Sequence, residues 1–293
     1  MADLHINSNK GWNKWTEYED EIIRKYYNSG GYERVKKYIP HRTDGSIQAR
    51  ASKLGIRYLT YNKEYFNIID SPTKAYWLGF LYADGYVTSD DRWGLELQLS
   101  DMSHMKNLLD ELSYSGNIKT RDRKGIESCS FLIKNKDMTN SLKDKGVIPN
   151  KTCCLEFPSV DVLENKYYSH FIRGFFDGDG CVSYGYITKP RKDRNNKIYT
   201  RLHKEINIVC KADNFVKELL EIMLNNDITL HHNINRQHNN LNVIKTSSIS
   251  DIINFYKYIY SDSNPTNRLN RKFNKFNDLF IATNNSDVIK KIS

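Results

Sequence analysis

Nothing in the chain approaches the run of about 18 apolar side chains that a membrane-spanning helix needs, and Met1 to Lys10 is too polar for a secretory leader. The five cysteines, Cys129, Cys153, Cys154, Cys181 and Cys210, are odd in number and form no Cys-x-x-Cys. That spacing excludes a disulfide framework and a zinc knuckle, so they read as reduced, mostly buried thiols. Together these absences point to an intracellular, cytoplasmic chain with no membrane partner. Acids are the scarcer charge, 35 against 44 Lys plus Arg, for a net charge of +9. Such a balance favours a polyanion, although charge alone does not separate DNA, RNA and membrane surfaces. The abundance of Asn, Lys, Ile and Tyr suggests an AT-rich phage, bacterial or organellar genome.

What is present is a repeated phrase. Tyr76-Trp77-Leu78-Gly79-Phe80-Leu81-Tyr82-Ala83-Asp84-Gly85 and Phe171-Ile172-Arg173-Gly174-Phe175-Phe176-Asp177-Gly178-Asp179-Gly180 are both apolar helical runs ending at Asp-Gly. Gly79 and Ala83 share one helix face at i and i+4, as do Gly174 and Gly178, and small residues there let two backbones touch. If the two copies pack on each other, Asp84 and Asp179 meet at one end. Two carboxylates about 6 Å apart repel by about 3 kcal/mol at an effective dielectric of roughly 20, and helix C-termini add to the cost. A divalent cation removes that penalty. An oxygen-rich site with open positions suits Mg²⁺, with Mn²⁺ as a substitute, and paired metals suit in-line phosphodiester displacement.

Both phrases resemble the signature of LAGLIDADG homing endonucleases, in which two such helices form the dimer or pseudo-dimer interface. The resemblance places Asp84 and Asp179 at the metal-binding acids, and the carbonyls of Ala83 and Gly178 at the backbone metal ligands. It implies a double-strand DNA endonuclease that leaves short 3′ overhangs on a long target. At an earlier acidic position of the signature this chain has Tyr82 in one copy and Asp177 in the other. Gly146 to Lys151 and Arg268 to Lys272 are further family-like phrases. Lys134 and Lys245 resemble the lysine that lies beside the metals and stabilises charge on the scissile phosphate.

An internal repeat lies behind the phrases. Leu97 aligns with Ile208, 111 residues on, and the same offset brings Leu108-Leu109 onto Leu219-Leu220, Ile133-Lys134 onto Ile244-Lys245 and Leu142 onto Ile253. Each copy reads helix, two strands, helix, two strands, helix. The expected fold is therefore α+β, a pseudo-twofold duplication over 71–160 and 161–285, whose antiparallel sheets form a saddle along DNA, as the resemblance implies. Ser71 and Pro72 supply an N-cap and an N1 proline for the first signature helix. A hairpin from Tyr184 to Lys204 carries Lys189, Arg191, Lys192, Arg194, Lys197, Arg201 and Lys204 against Asp193. In the matching segment of the first copy stand Lys119, Arg121 and Arg123. Alternation along strands puts such side chains on one face, where they reach phosphates and base edges.

Residues 1–58 read as a separate three-helix unit with 59–70 as linker, in which Trp12 and Trp15, the Glu19-Asp20 pair and Arg42-Thr43 before the last helix resemble a Myb-like or SANT-like helix-turn-helix. Thr16-Glu17-Tyr18-Glu19 is a capping box opening a helix with Tyr18, Ile22, Ile23 and Tyr26 inward. The third helix buries Ile47, Ala51 and Leu54 and leaves Gln48, Arg50 and Lys53 outward, to enter a major groove. The leading expectation is a monomeric homing endonuclease on double-stranded DNA, without an evident protein partner. The termini show no splicing element. The alternative is a non-cleaving protein on the same scaffold, an intron RNA maturase or a DNA-binding regulator. A third reading, a His-metal nuclease built on His231-His232 and His238-Asn239-Asn240, lacks the flanking ββα pattern.

Overall fold

The structure, a computed structural model, describes residues 14–58, 60–191, 197–236 and 241–291. Two compact units divide the chain, Met1–Tyr61 with Ser113–Gly116, and Asn62–Leu112 with Asn117–Ser293. Among the described residues no helix is long and apolar enough to cross a membrane.

In the first unit, α1 (Glu17–Lys36) begins at the expected capping box: Thr16 accepts from the Glu19 N–H and the Glu19 carboxylate accepts from the Thr16 N–H. It breaks at Gly31, whose φ of 59° is left-handed and suits glycine, so the chain does make three helical pieces with α2 (Asp44–Lys53). The core is Ile22, Ile23, Tyr27, Val35, Ile39, Ile47 and Ala51. Tyr18, expected inside, is 61% exposed. Tyr27 takes the buried place, one residue beyond the expected Tyr26, which is only partly buried.

The second unit contains the repeat. Its first half runs α3 (Pro72–Ala83), β1 (Gly85–Val87), β2 (Arg92–Gln98), α4 (Met102–Glu111), β3 (Lys119–Arg123), β4 (Ile126–Lys134) and α5 (Lys136–Asp144). Its second half runs α6 (Tyr168–Asp179), β5 (Gly180–Arg191), β6 (Lys197–Cys210), α7 (Asp213–Leu224), β7 (His231–Asn235), β8 (Leu241–Thr246) and α8 (Ile249–Tyr260), followed by α9 (Asn270–Ala282). The two sheets have the same antiparallel order, β1-β2-β4-β3 and β5-β6-β8-β7. This is the α+β duplication that the repeat implies. Ser71 caps α3 through the Lys74 N–H, with proline in its first turn.

Three expectations need correction. Residues 62–70 are not a free linker, because Tyr65, Phe66 and Ile69 are buried and Phe66 meets Trp93 edge-on at 6.0 Å. Cys153, Cys154 and Cys181 are exposed, and only Cys129 and Cys210 are buried. The single offset of 111 residues also fails in the strands. Gly85 pairs with Leu95 and Leu95 with Phe131, whereas Gly180 pairs with Ile208 and Ile208 with Ile244. Leu95, not Leu97, is thus the counterpart of Ile208, while the buried stripe His104, Met105 and Leu108 still matches Phe215, Val216 and Leu219. A short 3₁₀ turn at Leu99–Asp101 lies where the difference is absorbed. A slip of two residues keeps every side chain on its face, so alternation cannot detect it. Leu142 likewise corresponds to buried Phe255 rather than Ile253, since Asn135 and Ser248 are the matching N-caps.

Candidate active site and nucleic-acid face

The site is built by α3 on α6. A Cβ added to Gly79 would lie 1.9 Å from the Phe171 carbonyl oxygen, and one added to Gly174 would lie 2.0 Å from that of Tyr76. These are the same contact seen twice across the pseudo-twofold. At the lower end a Cβ on Gly178 would sit 2.2 Å from the Ala83 Cβ and 3.2 Å from Asp84 Oδ2. All four small residues of the two phrases therefore lie in or beside this helix contact, and the Asp84 carboxylate reaches the residue preceding Asp179. Asp84 caps α3 and Asp179 closes α6, so both acids stand where the helix dipoles are already negative.

Their electrostatics match that crowding. Although Asp179 keeps solvent access, the surrounding protein first, and the Asp84 carboxylate second, push its carboxyl up to about 6. Burial also raises Asp84, while Lys272, Lys151 and Arg271 draw it back down. Lys272, held in the first turn of α9, donates from Nζ to the carbonyls of Phe176 and Gly178, at 2.8 Å each. Lys151 donates from Nζ to the Gly85 carbonyl. Burial lowers both ammonium groups, Lys272 to about 8. Arg271 Nε reaches both oxygens of buried Asp101 at 3.0 Å, fastening α9 to the first repeat.

Neither cation stands out from the sequence alone. Both lysines lie in the two family-like closing phrases, but nothing local shows that they fold back onto the acids. What brings them there is the position two residues before each acid. Tyr82 donates its hydroxyl to the Lys145 carbonyl at 2.6 Å, and Gly146 beside it, at φ 92°, has no room for a Cβ against that hydroxyl. Asp177, fully buried, accepts from the Leu269 N–H at 2.7 Å, the Tyr260 hydroxyl at 2.6 Å and the Tyr76 hydroxyl at 2.9 Å. Each repeat thus docks its own closing segment on its own signature helix.

The donor set fits a hard divalent ion. It is all oxygen, two carboxylates and backbone carbonyls, and ammonium groups are already drawn to its rim. Among the described residues no group of three or more His, Cys, Asp or Glu is gathered as a metal site, so the carboxylates available here are the two of the acid pair. His232 instead hydrogen-bonds the Asn242 side chain at 2.7 Å, and 238–240 lie outside the described residues.

Strand register places the basic residues. In β4 the odd positions Cys129, Phe131 and Ile133 are buried, and Lys119, Arg121 and Arg123 pair with the even ones, Ser130, Ser128 and Ile126. They stand on the outer face with Gln98 and Lys134. In the other sheet Val182, Ile206 and Ile208 face the core. Lys189, Lys197, Arg201 and His203 have the opposite parity, sharing the outer face with Cys181 and Lys245. Arg191 ends β5, and Lys192 and Arg194 lie outside the described residues. Lys134 pairs with Arg92, and Lys245 with Asn207. They are therefore not equivalent across the repeat. Lys245 is also 3.1 Å from Glu205.

On α2 of the first unit, Gln48 and Lys53 are exposed. Arg50 is not free: its Nε donates to Asp20 at 2.7 Å, and its guanidinium lies over the Trp15 ring. Arg42 in turn clasps Glu19, from Nε at 2.6 Å and Nη2 at 2.8 Å, and holds that carboxyl well below its usual range.

No family profile and no curated protein sequence match this chain. Among solved structures it is similar to the I-LtrWI LAGLIDADG homing endonuclease bound to target DNA, with 11% identity and a TM-score of 0.49 over 79% of this chain and 96% of that one. It is similar too to the LAGLIDADG meganuclease I-CpaMI bound to uncleaved DNA, with 13% identity and a TM-score of 0.49 over 76% and 96%. A third is the LAGLIDADG homing endonuclease I-GzeII in complex with its DNA target, with 14% identity and a TM-score of 0.48 over 76% and 95%.

Proposed function

We propose that this chain is a divalent-metal-dependent endonuclease of the homing type, cutting both strands of a long double-stranded DNA target and leaving short 3′ overhangs. The observation that carries the reading is the meeting of Asp84 with the Gly178-Asp179 end of α6 through a glycine-lined helix contact, between two sheets whose outer faces are basic. Asp84, Asp179 and the carbonyls of Ala83 and Gly178 would hold Mg²⁺ or Mn²⁺. When bound, such ions supply activated water and stabilise the negative charge of the leaving oxygen.

The chain's own residues do the rest. Lys119, Arg121, Arg123, Lys189, Lys197 and Arg201 grip phosphates along the outer faces, and Arg191, Lys192 and Arg194 are assigned to the same DNA contact. Lys245, one residue along from the strand position that faces Gly180, gives electrostatic help near one scissile phosphate, and Lys134, at a different register position, is assigned a phosphate contact on its own sheet instead. One acid serves each strand. Gln48 and Lys53 of the first unit add a second, tethered DNA reader that raises effective concentration at the target.

Incubating the protein with a random DNA library and Mg²⁺, then sequencing the cut ends, gives the target and the overhang. On that target Asp84→Asn and Asp179→Asn should bind as tightly as wild type and no longer cut both strands. Full cutting by either variant rejects the assignment. Binding without cutting by the wild type supports the maturase or regulator reading instead.

A further inference from the structure

The first unit carries an aromatic pair at the edge of its core. Tyr26 in α1 and Tyr38 just beyond that helix stack face to face, with ring centroids 4.2 Å apart and planes 7° from parallel. Tyr26 packs partly against the core, whereas Tyr38 is 45% exposed. Because Tyr26 covers one face of the Tyr38 ring, that exposure falls on its edge and its other face. The backbone beneath is fixed: the Tyr38 N–H donates to the Val35 carbonyl at 3.0 Å, and the neighbouring Ile39 is buried. Cations gather on the same pair. Lys25 Nζ lies 5.3 Å and the Arg34 guanidinium 5.6 Å from the centre of the Tyr26 ring, and Lys37, beside Tyr38, is exposed. Over 33–38 Arg34, Lys36 and Lys37 outnumber Glu33, although Lys36 is already paired with Asp44.

These residues lie off α2, whose exposed Gln48 and Lys53 are assigned above to duplex DNA. An open aromatic ring among cations suits a flat ring carried on a phosphate chain, which is the chemistry of a nucleotide. A base inside a duplex is stacked on both sides by its neighbours, so only an unpaired base can lie on such a ring. We propose that Tyr38 is a stacking platform for an unpaired base of single-stranded DNA, with Lys25, Arg34 and Lys37 along its phosphates. The base forms a third tier on the tyrosine pair, and Tyr26 supports the platform ring from behind. The choice of DNA over RNA rests on the endonuclease reading; the stacking itself rests on the geometry of the pair.

The test uses the full chain in EDTA and reads fluorescence anisotropy of short labelled strands: oligothymidylate, an abasic strand of the same length, and oligouridylate. Oligothymidylate should bind about tenfold more tightly than the abasic strand, as expected for one base on an aromatic side chain. Tyr38→Ala should lose that preference and keep the abasic affinity, and Tyr38→Trp should retain it. Ultraviolet cross-linking of a strand carrying iododeoxyuridine, read by mass spectrometry, should mark Tyr38. A pair that only stabilises the fold would lower Tm in Tyr38→Ala and leave the preference untouched. Equal binding of oligothymidylate and the abasic strand, a preference unchanged by Tyr38→Ala, or tighter binding of oligouridylate than of oligothymidylate overturns the proposal. Each of those results leaves the endonuclease reading intact, which stands or falls on cutting of the duplex target by the wild type.

Discussion

Replacing Gly79 or Gly174 by alanine sets two physical effects against each other. Both lie inside helices, where alanine is favoured over glycine by about 1 kcal/mol. Against this, the new Cβ would lie 1.9 Å or 2.0 Å from a backbone carbonyl oxygen of the facing helix, roughly 1.4 Å inside an ordinary carbon–oxygen contact. No side chain can turn aside to relieve it, because the obstacle is backbone. The helices must part, loosening the packing of Tyr76, Phe80, Phe171 and Phe175, all buried in the same contact. Overpacking of this kind costs about 3 kcal/mol, at the upper end of its usual range. The net loss is then about 2 kcal/mol, or roughly 4–8 °C in Tm for a unit of this size. Cleavage should fall further, about 100-fold, because a displacement near 1 Å between catalytic groups has that effect. Gly45→Ala is the control: that glycine lies in α2 with nothing within 4 Å of its added Cβ, so it should be neutral or stabilise by up to about 1 kcal/mol. Thermal unfolding by circular dichroism and cleavage of target DNA are the two assays. A rise in Tm for Gly79→Ala or Gly174→Ala, as in the control, would refute the close backbone contact.

Two further expectations concern charge. Because Asp179 titrates near 6 in the folded chain against 3.8 as its ordinary value, the native state binds its proton more tightly. In EDTA this group should make the second unit more stable as pH falls from 7 to 5, an increment lost as pH rises through 6. Asp179→Asn should flatten that slope, and an unaltered slope contradicts the assignment. Glu19 and Asp20 in the first unit carry the opposite sign, their carboxyls being depressed by Arg42 and Arg50; that unit should weaken only in stronger acid, below the ordinary carboxylate range. On DNA, Arg121→Ala and Arg201→Ala should each reduce the slope of log affinity against log salt by about 1, the signature of one lost phosphate contact. A slope identical to wild type would take those residues off the interface.

The helix pair was legible because its signal is local: small residues at i and i+4, apolar neighbours and a terminal Asp-Gly fix both the contact face and the place where the acids emerge. The basic hairpin was legible for a similar reason, since strand alternation alone puts Lys189, Lys197 and Arg201 on one face. Register was not. Shifting Leu97 to Leu95 as the partner of Ile208 leaves every hydrophobic residue inside, so only the hydrogen-bonded ladder distinguishes the two, and with it the inequivalence of Lys134 and Lys245. Arg50 read as a groove-facing side chain because helical periodicity says which way a residue points, but not whether Asp20, 30 residues earlier, is waiting for it.

By itself, then, the sequence determined the duplicated α+β plan, the glycine-lined contact and the candidate acid pair, because short-range periodicity and steric size are written in neighbouring residues. The tertiary structure alone decided which cations attend those acids. Lys151 and Lys272 arrive from segments far along the chain, anchored by Tyr82 and Asp177, and an electrostatic environment depends on distances that only the folded chain possesses.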